Sequence, residues 1–184
     1  FFLCLTIAGI SESAIVALVI FVIHMAAMAL LVISAIYFLL THGTTTLMEN
    51  FSLPIRGGSF GTALFFGFSA ALLGISGFES SANFVEEQQK GVFPKTLKNM
   101  WLAVSILNPL IAFLAIGVMP VSEVDANQQS LLSHMASLTG GRWLATIISI
   151  NAVLVLSGAV LTSFVGVNGL IKRMTLDRVL PQFL

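Results

Sequence analysis

A carboxylate set among glycines in an apolar run is the first chemistry the sequence offers, at Leu73-Gly74-Ile75-Ser76-Gly77-Phe78-Glu79. An ionisable side chain inside hydrocarbon is costly and usually faces a cavity or a partner. Glycines about one turn apart let a neighbouring helix approach closely. They also permit an unwound segment between two half-helices, whose freed carbonyls and amides coordinate an ion or a small polar substrate near the bilayer midplane. Glu79 favours the unwound segment over simple packing. Leu73, Gly74, Ile75, Ser76 and Gly77 are therefore the candidate substrate-binding residues, with Glu79 a candidate gate. Gly74 to Gly77 are expected to be non-helical, between half-helices Phe60 to Leu73 and Phe78 to Gln88.

His24 is the second candidate, lying among apolar residues such as Ile20, Phe21 and Ala27. One reading is a neutral imidazole bonded to a neighbouring helix. The other is a proton-responsive group, because histidine titrates near physiological pH. Glu86 and Glu87 resemble a catalytic carboxylate pair only in isolation. They precede Lys90, Lys95 and Lys98, so a charged loop network that restrains the half-helix is the better account. Asn108-Pro109 should kink its helix, since proline removes a helical hydrogen bond. Asn151, Thr162, Ser163 and Asn168 suit interhelical hydrogen bonding, and Ser163 is also a candidate lining residue of the coupling site. His134 is expected on a solvated outer loop. No nucleophile and base stand at a convincing spacing, so neither an enzyme nor an intramembrane hydrolase is expected. The single Cys4 removes a disulfide framework and an all-cysteine metal site. No metal or cofactor is expected.

The elements that hold these residues follow from composition. Of 184 residues, 57% are hydrophobic and only 9% charged, with a mean hydropathy of +1.01. Soluble domains carry about 25% charged residues, so this is an integral membrane protein. The net charge of +0 gives no basic surface for nucleic acid. A helix needs about 20 apolar residues to cross a hydrocarbon core of about 30 Å. The runs that meet this are Ala14 to Leu40, Phe60 to Val85, Met100 to Met119 and Trp143 to Ile171, the last after the turn signal Gly140-Gly141. Phe1 to Ala8 reads as the end of an earlier helix. It has no basic flank or cleavage-like site, so no secretory signal is expected and the chain reads as a fragment.

Lys and Arg in short loops mark the cytoplasmic side. Lys90, Lys95 and Lys98 follow the second run, Lys172, Arg173 and Arg178 follow the fourth, and only Arg56 and Arg142 lie opposite. Loop 86–99 and tail 172–184 are then cytoplasmic, with 41–59 and 120–142 outside. Asn50-Phe51-Ser52 matches a glycosylation sequon, which chance explains best.

Three stretches, taken in order, resemble the amino acid/polyamine/organocation (APC) transporter superfamily. Gly77-Phe78-Glu79, then Glu86-Glu87, a basic residue and Pro94, is similar to its sixth transmembrane helix and the loop that follows. Lys172-Arg173-Met174-Thr175-Leu176-Asp177-Arg178-Val179-Leu180-Pro181 resembles its "ardgllP" ending after the eighth, and Gly9-Ile10-Ser11-Glu12-Ser13-Ala14 its "GvkeSA" turn before the fifth. The resemblance implies an all-α membrane protein, part of a ten-helix inverted-repeat core of the LeuT-like kind with a broken helix. Helices five to eight and the end of four would be present, and the other helices of the same permease would be its partners.

It further implies secondary active transport of an amino acid or related amine across the plasma membrane, by alternating access. Carbonyls around Leu73, Gly74 and Ile75 would hold the substrate ammonium, and the missing first helix its carboxylate. His24 falls where proton-coupled relatives carry a lysine in place of a sodium ion, which makes the proton the candidate coupling ion. The chain departs from the family where Leu73 replaces an aromatic gate, Gly169 replaces an arginine, and Gln88 to Pro94 shortens the loop and lacks its "NP". A channel, or a truncated permease without transport, are the alternatives.

Overall fold

The structure, a computed structural model, describes residues 10–55, 58–73, 78 and 88–179. Long helices form because the apolar runs offer the backbone no other partner. In hydrocarbon every N–H and C=O must bond within the chain, and a helix does so locally. In order these are α1 (Ile10–His42), α2 (Thr45–Ser52), α3 (Phe60–Leu73), α4 (Val92–Val118), α5 (Val121–Ala126), a 3-10 turn (Gln128–Ser130), α6 (Leu131–Gly140) and α7 (Arg142–Leu176). The described residues contain no strand. Among the described residues three stretches are long and apolar enough to cross a membrane: Ile15–His42, Val92–Val118 and Arg142–Val160. At about 1.5 Å per residue, the 14 residues of α3 cover about 21 Å, short of a crossing. The expected second span continues from α3 into residues 74–77 and 79–87, so the expected break lies outside the described residues.

α4 starts at Val92, ahead of the apolar run from Met100, and takes Pro94 into its first turn. An amide there has no helical partner to lose, so proline is tolerated. Pro109 sits in the helix interior.

The core gathers at one end of the bundle. Leu31, Met119, Met135 and Leu144 are fully buried, with Ala27, Met28 and Ala35 from α1, Leu114, Ala115 and Val118 from α4, Ala136 from α6 and Ile148 from α7. α6 is the wedge, packing on α1, α4 and α7. Small residues let the backbones close. Leu39 lies so near Gly117 that a Cβ there would stand 3.2 Å from its methyl, the close approach that drives association where lipid is as apolar as leucine. Elsewhere apolar side chains face outward, Leu40 at 80% and Val160 at 71% exposure. Such a surface belongs against lipid or further helices.

Two corners fix the connections. Gly141, between α6 and α7, has φ 81° and ψ −171°, a backbone open essentially to glycine alone. Asn50 of α2 clasps the end of α4. Its Nδ2 donates to the carbonyls of Ile116 (2.7 Å) and Met119 (2.9 Å), and its Oδ1 accepts from the Val121 N–H (3.1 Å). Asn50→Ala leaves those backbone groups unpaired, at about 1–3 kcal/mol. The melting temperature in detergent should fall by about 2–10 °C. Asn50→Asp, which keeps only the acceptor, should not restore it. An unchanged melting temperature in Asn50→Ala would show that the clasp adds nothing to stability.

Candidate functional site

The buried stripe of α1 runs Ala27, Met28, Leu31, Ala35, and His24 lies one turn before it on the same face. The stripe of α7 runs Leu144, Ile148 and then Asn151, which is 3% exposed. The two stripes meet, and Asn151 Nδ2 donates to His24 Nδ1 over 2.9 Å. The imidazole nitrogen that accepts this bond has no proton of its own, so a neutral His24 carries its proton on Nε2. Among the described residues Asn151 Oδ1 is buried without a partner. Reversing the amide would satisfy the oxygen from Nδ1–H but orphan the nitrogen instead, so one half of this amide stays unpaired in either neutral tautomer. A buried polar group so placed costs about 1–3 kcal/mol.

Hydroxyls line the approaches. Ser133 of α6 and Ser149 of α7 are 2.8 Å apart, with Ser133 Oγ also donating to the Ala145 carbonyl at 3.3 Å. Ser34 of α1 meets Thr139 of α6 at 3.0 Å. A cleft of about 520 Å³ reaches His24 and Asn151 from beside the Gln128–Ser130 turn, and another of about 510 Å³ reaches His24 between α1 and α4.

The sequence candidates are only partly brought together. His24 and Asn151 are joined, as the interhelical reading of each expects. Ser163 is not with them. It lies about 18 Å further along α7 at about 1.5 Å per residue, exposed, with its hydroxyl donating to the Ala159 carbonyl at 3.0 Å. Leu73 is the last residue of α3. Gly74, Ile75, Ser76, Gly77 and Glu79, like Glu86 and Glu87, lie outside the described residues. Asn108 lines the cleft between α1 and α4. His134 corrects an expectation. It stands on α6 rather than on a solvated loop, its Nε2 is 3.0 Å from Glu123 Oε2, and its side chain is 29% exposed. The packing of α6 against the bundle holds it beside α5.

What the sequence reading missed was the pairing itself and the role of α6. Its signal was present: Leu131, Leu132, Met135 and Ala136 recur at helical spacing within the supposed loop. Among the described residues no group of histidine, cysteine and carboxylates could hold a metal ion. The site's chemistry is that of hydrogen bonds and a single titratable imidazole.

The family profile described as "Amino acid permease" matches residues 1–184. No curated protein matches the chain, and no solved structure does.

Proposed function

Because the chain belongs to the amino acid permease family, we propose that it is part of a secondary transporter that moves an amino acid or related amine across the plasma membrane by alternating access, with His24 as its protonation site. The observation that supports the His24 assignment is the His24–Asn151 pair. A titratable side chain within a spanning helix is rare and marks a pathway or a relay, and this one borders two clefts. Protonation that accompanies one conformation more than another lets a proton gradient bias the cycle.

In this reading Leu73 to Gly77 form the unwound substrate segment of an inverted-repeat core. Their carbonyls face the substrate ammonium, and a first helix outside the present sequence holds the carboxylate. Glu79 and Ser163 are then gating residues beside that segment. The test is reconstitution in liposomes with a radiolabelled mixture of the common amino acids. Saturable counterflow accelerated by a proton gradient is expected. Flux that neither saturates nor shows counterflow would indicate a channel and defeat the proposal.

The same reading sets the orientation. Lys95 and the 172–184 tail are cytoplasmic, and the Gln128–Ser130 turn is outside, on the asymmetry of Lys and Arg. Cysteines replacing Lys95 and Ser130 should be labelled by an impermeant reagent from opposite sides of intact cells, Ser130→Cys from without. Labelling of Lys95→Cys from outside would reverse the topology.

A further inference from the structure

The connection from α1 to α3 places large apolar side chains beside polar ones in an order that helical geometry sorts. At about 3.6 residues per turn, α2 divides into three flanks. Thr46, Leu47 and Asn50 are partly covered and form the side that meets α4. Met48 and Phe51 form the second, 70% and 67% exposed. Thr45, Glu49 and Ser52 form the third, exposed as well. Beyond the helix the chain is extended at Leu53, with φ −64° and ψ 143°, the region that a following proline favours. Side chains alternate along extended chain, so Leu53 and Ile55 share a side, and both are exposed. Among the described residues nothing covers the apolar edge made by Met48, Phe51, Leu53 and Ile55.

The height of this edge is fixed by its neighbours. Asn50 ties α2 to the end of α4, where Leu39 of α1 packs on Gly117, so α2 lies where two spans end. α7 runs antiparallel to α1, since Asn151 meets His24 while Thr139, just before α7, meets Ser34. Exposed Tyr37 of α1 and exposed Trp143 in the first turn of α7 therefore stand near the same end of the bundle. Tyrosine and tryptophan concentrate at the level of the lipid headgroups. A seam between spanning helices favours small residues, and Met48 and Phe51 are large. A polar flank next to an apolar one suits a boundary between water and hydrocarbon instead. α2 carries Glu49 as its only charge and has no basic residue, so nothing on it selects an anionic headgroup.

We infer that α2 is an interfacial helix that lies in a zwitterionic headgroup layer, with Met48 and Phe51 dipped into the acyl boundary and Thr45, Glu49 and Ser52 in water. Leu53 and Ile55 continue the immersed edge. Eight residues are too few to hold a helix alone, so α2 depends on the Asn50 clasp from one side and on lipid from the other. Through that clasp the end of α4 is moored to the membrane surface. The inference needs α1 and α4 to span the bilayer. It is independent of which solute the permease moves and of how transport is coupled.

The test uses the permease in phosphatidylcholine liposomes, its other cysteines replaced, with a nitroxide attached at Thr45→Cys, Met48→Cys, Glu49→Cys, Phe51→Cys or Ser52→Cys in turn. Spin relaxation by oxygen, which concentrates in lipid, is compared with relaxation by a water-soluble nickel chelate. Oxygen should dominate at positions 48 and 51 and nickel at 45, 49 and 52, with the label at 51 about 5–10 Å below the headgroup boundary. Nickel dominating at all five places α2 in water and overturns the inference. Weak relaxation by both agents at 48 and 51 means that another helix or a second copy covers the flank, which also overturns it. So does a pattern that appears only when anionic lipid is added. A second arm measures thermal stability in phosphatidylcholine nanodiscs. Phe51→Asp should lower the melting temperature by at least about 2 °C, while Phe51→Trp should leave it unchanged, because a headgroup layer accepts the larger ring. A packed protein interface would reject that ring, so equal losses in the two variants would overturn the lipid assignment. Failure of uptake or of its pH response in the unlabelled permease counts against the transport reading and leaves the relaxation pattern, and with it this inference, intact.

Discussion

Uptake by the His24→Asn permease should lose most of its dependence on pH while substrate binding persists. A single titrating group changes its occupancy by up to about tenfold per pH unit, equivalent to about 1.4 kcal/mol of bias on the cycle. Asparagine is of similar size, keeps a hydrogen-bonding side chain next to Asn151, and cannot take up a proton. The hydrogen bond between α1 and α7 can therefore survive while the protonation step does not. Measured as initial uptake rate against pH in liposomes, the wild-type slope should collapse to less than about twofold across the range in which histidine titrates. His24→Leu serves as the contrast. It removes the partner of a residue only 3% exposed, and the buried amide left behind should lower stability as well as transport, by about 1–3 kcal/mol. An unchanged pH profile in His24→Asn would return His24 to a purely structural role and move attention to Glu79.

Substitutions at the Gly140-Gly141 corner should be the most damaging to the fold. A Cβ on Gly140 would stand 2.5 Å from Leu144 Cδ2 and 3.0 Å from its Cβ, and Leu144 is fully buried in the core, so it has nowhere to move. At Gly141 space is free, but φ 81° with ψ −171° excludes side chains on backbone grounds, at about 1–3 kcal/mol. Gly141→Ala should then lower the melting temperature in detergent by about 2–10 °C, and Gly140→Val by more, since overpacking adds about 1–3 kcal/mol on its own. The two differ in remedy. Leu144→Ala should partly rescue Gly140→Val by making room and should do nothing for Gly141→Ala. Equal rescue of both would mean that the backbone angle is not what restricts Gly141.

The spanning helices were legible because their signal is crude. The apolar runs from Ala14 and from Trp143 lie inside α1 and α7, and the Gly140-Gly141 punctuation stands at the corner between α6 and α7. The helices of the outer connections were not. α6 has only 10 residues, too few to be stable alone, so its helix depends on docking Met135 and Ala136 against partners distant in sequence. The same limit applies to the site. His24 and Asn151 were each marked as polar residues out of place, yet long helices that are apolar on every side give no stripe to say which faces meet. Small residues gave the remaining clue. Ala27 and Ala35 flank the seam of α1, and the seam continues to His24.

The Asn50 clasp makes sugar attachment and native assembly mutually exclusive. Oligosaccharide transfer to Asn50-Phe51-Ser52 requires the side-chain amide nitrogen, and in the folded protein that nitrogen spends both hydrogens on the Ile116 and Met119 carbonyls. In a host that glycosylates its membrane proteins, attachment and docking of α2 would be a race during synthesis, because Ile116 and Met119 emerge well after Asn50. Every glycan found there would mark a chain whose α2 was caught before α4 arrived. The glycosylated fraction, read as a mobility shift on a gel, is then a clock for the assembly of this corner.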